Sequence, residues 1–104
     1  MTHYAKGCSF EYKARNKLQA AGYLVVRSAG SKGPADLVAL RQGEVLLVQA
    51  KKNGRLSKRE EAELVVIANK YGACPVLCGP GLRFERLRDG QRLELDPAPA
   101  DEMK

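Results

Sequence analysis

Apolar residues near the start of the chain follow helical spacing and then give way to a strand-like run. A helix is predicted over residues 9–21 by apolar side chains spaced at i, i+3 and i+4, namely Phe10, Ala14, Leu18 and Ala21. Gly22 follows as a C-cap. Residues 23–27 are rich in β-forming side chains and predict a short strand. Residues 28–34 contain two glycines, two serines and a proline, which indicate a loop.

A hairpin is predicted next. The apolar run at residues 36–40 is followed by a tight turn at residues 41–43 and a second strand over residues 44–51. Side chains alternate along a strand, so Gln49 and Lys51 share one face. The hairpin brings Asp36 beside them. An acid, an amide oxygen and an ammonium group are therefore expected at one edge of the sheet, where they suit a divalent cation held against a phosphate.

The second half of the chain predicts another helix and further strands. Ser57 and Glu60 form a capping box, which starts a helix that runs to about residue 71. Later strands are predicted over residues 75–78, 82–87 and, as a short edge strand, 92–95. The strand at residues 75–78 returns after a helix, so it is expected to lie parallel to its neighbour in a mixed sheet. This sheet has one helix on each face or both near one edge.

Length and composition bound the class of protein. The chain has 104 residues, 44% hydrophobic and 29% charged, which indicates one globular domain over residues 1–96 with a frayed tail at 97–104. No apolar run approaches the roughly 20 residues of a membrane span, and no secretory signal is visible. Three cysteines without a disulfide framework favour reduced thiols and a cytoplasmic protein. The pair Cys74 and Cys78 is expected in the core and not at a zinc ion.

The charge balance points to a polyanionic partner. The formal net charge is +6, which is high for so small a domain. Many of the basic residues lie in the first sixty positions, around the predicted hairpin, whereas most acids fall in the second helix and the tail. Nucleic acid is the partner that this distribution favours.

Several short segments together resemble a known nuclease family. They are Gly7, Phe10-Glu11, Gly22-Tyr23, residues 25–32, residues 36–39 and residues 49–51. In this order and spacing they resemble the archaeal-type Holliday junction resolvases of the PD-(D/E)xK nuclease superfamily, over roughly residues 6–80. The resemblance implies an α/β fold with a restriction-endonuclease-like mixed sheet flanked by helices, in the order α-β-β-β-α-β-β. It also implies paired hydrolysis of phosphodiesters in four-way DNA junctions. A phage-encoded member would act in the host cytoplasm.

The resemblance also assigns roles to individual residues. The catalytic set is Glu11, Asp36, Gln49 and Lys51. The metal, Mg²⁺ with Mn²⁺ as a substitute, would be held by Asp36, Gln49, Glu11 and the carbonyl of Ala50. DNA contacts are expected from Lys6, Arg27, Ser28, Ser31, Lys32, Lys52 and Arg55. Such enzymes are homodimers, because a junction with approximate twofold symmetry needs two active sites. The expected interface comprises the second helix, with Leu64, Val65, Ile67, Ala68 and Tyr71, together with the predicted strand at residues 75–78.

Gln49 departs from the family pattern, which has a glutamate at this position. An amide oxygen can bind Mg²⁺ but carries no charge. Three interpretations stay open: a functional native glutamine, a deliberate inactivating change, and a catalytically impaired junction-binding relative. A further alternative is another small PD-(D/E)xK nuclease of the VRR type.

Overall fold

The computed structural model describes residues 3–28 and 35–95, with side chains from residue 9 onward. In chain order the elements are α1 (His3–Ala20), β1 (Leu24–Arg27), β2 (Leu37–Arg41), β3 (Glu44–Ala50), α2 (Lys58–Tyr71), β4 (Cys74–Gly79), β5 (Arg83–Arg86) and β6 (Arg92–Leu93). The predicted loop at residues 29–34 and the predicted tail lie outside the described residues. No helix in the described ranges is long and apolar enough to cross a membrane.

The six strands form one mixed sheet in the order of the sequence. All neighbouring strands are antiparallel except β3 and β4, which are parallel. Parallel strands need a crossover, and α2 supplies it. The predicted α/β fold, a mixed sheet flanked by helices with a parallel return strand, is therefore confirmed.

One face of the sheet packs against α1. The buried side chains of this core are Ala14, Leu18, Leu37, Ala39, Leu46, Val48, Val76, Cys78 and Phe84. The alternation of the strands sends the intervening residues to the other face. There α2 contacts β4, and its buried residues Leu64 and Ala68 lie outside the α1 core. Cys74 and Cys78 belong to or pack against the α1 core, as expected.

Local signals at the hairpin and at α2 explain where these elements begin and end. Arg41 and Glu44 close a two-residue turn in which Gly43 has φ 76°, a conformation that favours glycine. The side chain of Ser57 accepts a hydrogen bond from the amide of Glu60, and the Glu60 carboxylate accepts one from the amide of Ser57. The predicted capping box is thus confirmed, and Gly72 ends α2 in the left-handed region.

Several element ends differ from the sequence predictions by a residue or more, and those of α1, β4 and β6 are the most informative. Helix α1 begins at His3, earlier than the predicted start at residue 9. The predicted helix starts too late because Gly7 is a poor helix former and weakens the sequence pattern there. Strand β4 extends to Cys74 and Gly79, although glycine is depleted in strands and proline, which follows Cys74, is unfavourable in an inner strand. The last strand is shorter than predicted and ends at Leu93.

Strands β1 to β3 carry an apolar surface on the side away from α1. The register aligns its side chains in rows, Leu24 with Leu40 and Val45, and Val26 with Val38 and Leu47. Of these, Leu24 is 65% and Val26 52% exposed, Leu40 and Val45 are also exposed, and Val38 and Leu47 are half-buried. We call these six residues the open apolar face. Exposed contiguous apolar surface of this kind marks interaction sites.

Candidate active site

Asp36 lies just before β2 and is held by the strands on both sides of it. Its amide donates to the carbonyl of Val48 (2.8 Å), and its carbonyl accepts from the amide of Ser28 (2.8 Å). Its Oδ2 accepts a hydrogen bond from the amide of Ala50 (2.9 Å). A carboxylate has about four lone-pair sites, so this bond leaves acceptor capacity. The carboxylate is thus fixed at the end of β3, as the hairpin predicts.

Gln49 lies opposite Asp36 on the neighbouring strand. Leu37 pairs with Val48, so one step further the register places Asp36 against Gln49, and both face away from α1. Gln49 is only 7% exposed. No buried side-chain nitrogen or oxygen in the described residues lacks a hydrogen-bond partner. Gln49 is therefore a built part of this strand end and not a solvated surface residue.

Lys51 follows β3 directly, and an acid from the other half of the chain holds its side chain. Its Nζ lies 2.9 Å from Oε2 of Glu60. Glu60 therefore serves two groups, because its other oxygen closes the capping box of α2. The hydrogen bond from Lys51, followed by the one from the Ser57 amide, lowers the pKa of Glu60 from 4.5 to about 2. Beyond the capping box itself, no sequence pattern signals this pairing.

Glu11, the helical acid of the predicted set, pairs with a predicted DNA-binding residue. Its Oε1 lies 3.2 Å from Nε of Arg27. The guanidinium of Arg27 also lies 5.2 Å from the centre of the Tyr12 ring. Arg27 pairs with Leu37, which faces α1, so this ion pair lies on the α1 side. Ser28, which follows Arg27 directly, connects this ion pair to Asp36, because its amide donates to the Asp36 carbonyl.

The structure thus brings together three of the four predicted catalytic residues. Asp36, Gln49 and Lys51 lie at one end of β3, whereas Glu11 approaches this end from the other face. Within residues 9–28 and 35–95, no three His, Cys, Asp or Glu side chains are grouped so that they could hold a metal ion. There are two reasons: position 49 carries an amide and not a carboxylate beside Asp36, and Glu11 is paired with Arg27 on the α1 side.

The donors at this strand end nonetheless suit a hard divalent cation. They are the Asp36 carboxylate, the Gln49 amide oxygen and the Ala50 carbonyl, all of them oxygen ligands of the type that Mg²⁺ prefers. The Asp36 carboxylate is half-buried and oriented by a backbone amide, which keeps one ligand in place before a cation arrives. These residues therefore fit the predicted metal, with fewer charges than a site of three acids.

The predicted DNA contacts fall in different environments. Lys52 and Arg55 are exposed, and Ser28 is partly buried. Ser31 and Lys32 lie outside the described residues, as does the side chain of Lys6. Lys13, which is not among the predicted DNA contacts, lines a small cavity of about 120 Å³ together with Lys52. Only the fold brings these two lysines together, so no sequence pattern signals the pair.

The predicted dimer interface needs revision at two positions. Leu64 and Ala68 have no exposed surface within a single chain, because they pack α2 onto the sheet. They cannot offer surface to a second copy. Val65 and Ile67 are half-buried and Tyr71 is exposed, so these three keep surface. The open apolar face was not among the sequence predictions, although its apolar residues, within 24–26 and 38–47, all lie in predicted strands.

The Glu60 contact gives the first testable prediction. Glu60→Gln keeps an acceptor for the capping box but removes the charge that pairs with Lys51. We expect a melting temperature lower by a few degrees at neutral pH. Because folding lowers the pKa of the Glu60 carboxylate, its ionised form stabilises the fold at pH values above the ordinary pKa of 4.5. That stability is lost as the pH falls from 4.5 towards 2. The difference between variant and wild type should therefore be constant above about pH 4.5 and vanish near pH 2.

Thermal melts at a series of pH values test this expectation. Glu63→Gln is the matched control, because Glu63 pairs with Arg59, whose side chain is 88% exposed. A pH-independent difference for Glu60→Gln, or an equal loss in the control, would show that Lys51 and Glu60 do not form a stabilising pair.

Comparisons with known proteins agree with this fold. Among solved structures, Archaeoglobus fulgidus Hjc, described as a Holliday junction resolvase from an archaeal hyperthermophile, superposes with a TM-score of 0.69 at 25% identity. The match covers 92% of this chain and 90% of that one. This match in fold places the chain among nucleases of the junction-resolving class.

Sequence comparisons make the assignment more specific. The family model of the archaeal Holliday junction resolvases (Hjc) matches residues 2–89. The crossover junction endodeoxyribonuclease Hjc of Methanocaldococcus jannaschii is 38% identical over 98 residues, which are 90% of this chain and 68% of that protein. The chain belongs to the archaeal Holliday junction resolvase family, as the sequence resemblance predicts. Membership in this nuclease family suggests a divalent metal cofactor.

Proposed function

We propose that this protein is a structure-selective endodeoxyribonuclease that resolves four-way DNA junctions by Mg²⁺-dependent, paired hydrolysis of phosphodiesters. Family membership supports the substrate class. The observation that carries the chemistry is the strand end at which Ala50 holds the Asp36 carboxylate beside Gln49 and Lys51. Such a substrate implies work in the cytoplasm, or in the host cytoplasm for a phage-encoded protein.

The residues of the strand end have separate tasks in this proposal. Asp36, Gln49 and the Ala50 carbonyl would hold the cation, whereas Glu11, predicted as a further ligand, is paired with Arg27 on the α1 side. When bound, a divalent cation would supply Lewis-acid activation of the scissile phosphate and of the attacking water. Lys51 supplies positive charge for the phosphate as negative charge develops on it. Glu60 is a positioning residue, because it fixes the Lys51 ammonium before substrate arrives.

We further propose that two copies associate through the open apolar face. A twofold axis requires one self-complementary surface, and six neighbouring apolar side chains on three strands provide it. The row of Val26, Val38 and Leu47 lies next to the row that contains Asp36 and Gln49. A dimer through this face would therefore hold both active sites close to the interface. Val65, Ile67 and Tyr71 of α2 remain part of the proposed interface.

A cleavage assay on matched substrates tests the function. The substrates are a synthetic four-way junction, a flap and a linear duplex, each over a range of Mg²⁺ concentrations. We expect symmetric paired cuts in the junction and little cutting of the duplex. Equal cutting of the linear duplex would favour the VRR-type alternative. Tight junction binding without cleavage in Mg²⁺ or Mn²⁺ would identify the protein as a junction-binding relative.

Gln49→Glu is expected to change the metal requirement. A second ligand with negative charge at the strand end raises the affinity of the site for divalent cations. Without metal, however, a carboxylate at this buried position beside Asp36 suffers like-charge repulsion. We therefore expect a lower melting temperature in EDTA, a larger rise in melting temperature on adding Mg²⁺, and half-maximal cleavage at a severalfold lower Mg²⁺ concentration.

The matched control is Gln42→Glu, which makes the same change at an exposed position of the hairpin turn. Thermal melts and cleavage rates at graded Mg²⁺ concentrations measure both variants. An unchanged Mg²⁺ dependence in Gln49→Glu would mean that residue 49 does not face the ion.

A further inference from the structure

A cavity of about 360 Å³ opens near the predicted site, around strands β4 to β6. Its lining includes Gly54, Leu77, Arg83, Glu85 and Arg92, and we call it the arginine cavity. The register joins it to the active site, because Gln49 pairs with Leu77, Leu77 with Glu85, and Glu85 with Arg92. Asp36, Gln49 and Arg92 therefore belong to one row of side chains across the sheet. The cavity is a continuation of the catalytic face.

A second row connects Lys51 to the same cavity. The amide of Lys51 donates to the carbonyl of Cys78, and the next residue, Gly79, pairs with Arg83. The turn after Lys51 lies close to this strand, because a Cβ on Gly79 would come within 3.3 Å of the Cα of Gly54. With no side chain at position 79, nothing on β4 separates the turn from the arginine cavity.

The arginines around this cavity differ from the others in the described structure. Arg15, Arg27, Arg41, Arg59, Arg86 and Arg88 each bond to an oxygen of this chain. Within residues 9–28 and 35–95, Arg55, Arg83 and Arg92 make no such side-chain bond. Arg83 and Arg92 line the cavity, and Arg55 follows Gly54, which also lines it. Guanidinium groups without an internal acceptor retain all their donors for an external anion.

We propose that Arg83 and Arg92, supported by Arg55, form a second anchoring site for the DNA backbone. Its ligand is the phosphodiester chain of an arm that leaves the active site. This inference rests on the proposed function, because the arm is that of the bound junction. Three strand spacings of about 4.8 Å separate Gln49 from Arg92, roughly 14 Å, which spans about four base steps of 3.4 Å.

The expected contribution is affinity and orientation of the arm and not chemistry. Phosphate contacts by arginine fix the register of a protein on DNA without reading bases. Glu85 lies between the two arginines and faces the same cavity, so its carboxylate opposes an anion there. Its presence makes a prediction possible in each direction: removal of the arginines weakens DNA binding, and removal of the Glu85 charge strengthens it.

The test is equilibrium binding of a synthetic four-way junction in Ca²⁺ or EDTA, with cleavage measured separately in Mg²⁺. For Arg83→Ala combined with Arg92→Ala we expect binding weakened roughly ten- to fiftyfold at 0.1 M salt. The slope of log K against log salt should fall by about 1.8, or about 0.9 for each lost phosphate contact. The cleavage rate at saturating protein should stay close to that of the wild type. Glu85→Gln should bind severalfold more tightly.

Arg59→Ala is the matched control, since it removes an exposed arginine from α2. Equal affinity and salt slope in the control and the double variant would overturn the proposal. Thermal melts check folding, and Arg83→Gln with Arg92→Gln provides a second variant that keeps polar side chains of similar reach. If the wild type binds junctions with the predicted salt slope but does not cleave them, the proposed catalytic function fails while the anchoring site stands.

Discussion

Asp36→Asn is expected to reduce junction cleavage by at least a hundredfold, about 3 kcal/mol of transition-state stabilisation. The substitution is nearly isosteric and keeps an oxygen that can accept the hydrogen bond from the Ala50 amide. It removes the only carboxylate that the hairpin provides at the strand end. The loss should therefore appear in the single-turnover cleavage rate in Mg²⁺, while the variant folds and binds the junction in Ca²⁺.

Asp89→Asn is the control for this prediction. It makes the same chemical change in the β5–β6 turn, where Asp89 pairs with Arg86. We expect cleavage within about twofold of the wild type. Should Asp36→Asn cut the junction as fast as Asp89→Asn, the metal-binding and catalytic roles assigned to the strand end would be wrong.

Val26→Lys is expected to split the proposed dimer into monomers. Val26 is 52% exposed and belongs to the open apolar face on β1, the edge strand of the sheet. A lysine there places a charge in an apolar contact, and the twofold axis applies the change twice. Only the exposed half of each valine is left to bury, so the loss of two valines contributes about 1.5 kcal/mol. Burial of two lysine charges adds a larger penalty, so we expect the dimer dissociation constant to rise at least a hundredfold. Junctions should then receive single nicks instead of paired cuts.

Sedimentation or light scattering measures this effect as mass against concentration. Val66→Lys is the matched variant, because Val66 is 64% exposed but lies on α2, outside the open apolar face. A wild type that is monomeric at micromolar concentration would reject the dimer itself. Dissociation by Val66→Lys and not by Val26→Lys would move the interface to α2.

The predictable part of the fold is the part written in local patterns. The hairpin turn at Gly43, the capping box at Ser57 and the C-cap at Gly72 each have a mechanism within a few residues, and each lies where the sequence places it. The start of α1 and the ends of β4 were missed, because glycine and proline argue locally against the elements that tertiary packing imposes there.

In the candidate active site, the contacts within the hairpin can be predicted from the sequence, whereas the contacts with the helices cannot. Asp36 meets Gln49 and Ala50 because strand alternation and a short turn leave no other register that buries Leu37 and Val48. The partners of Lys51 and Glu11 depend on how helices sit on the sheet. No spacing in the sequence therefore signals the pairing of Lys51 with Glu60 or of Arg27 with Glu11. The arginine cavity likewise exists only after β5 and β6 join the sheet.

The groups proposed for catalysis and the arginines proposed to anchor DNA differ in how far apart in the sequence their contacts are, because β4 joins β3 through a parallel crossover. The groups assigned to bond cleavage lie within residues 36–51 and come together through one short-range hairpin. Arg83 and Arg92 of the arginine cavity lie beyond residue 82, and their position depends on the long-range crossover that pairs β4 with β3. Hairpin contacts close with less loop entropy than contacts across the longer crossover. Selection can therefore retune how the outer strands hold a branched substrate while the cutting hairpin stays unchanged.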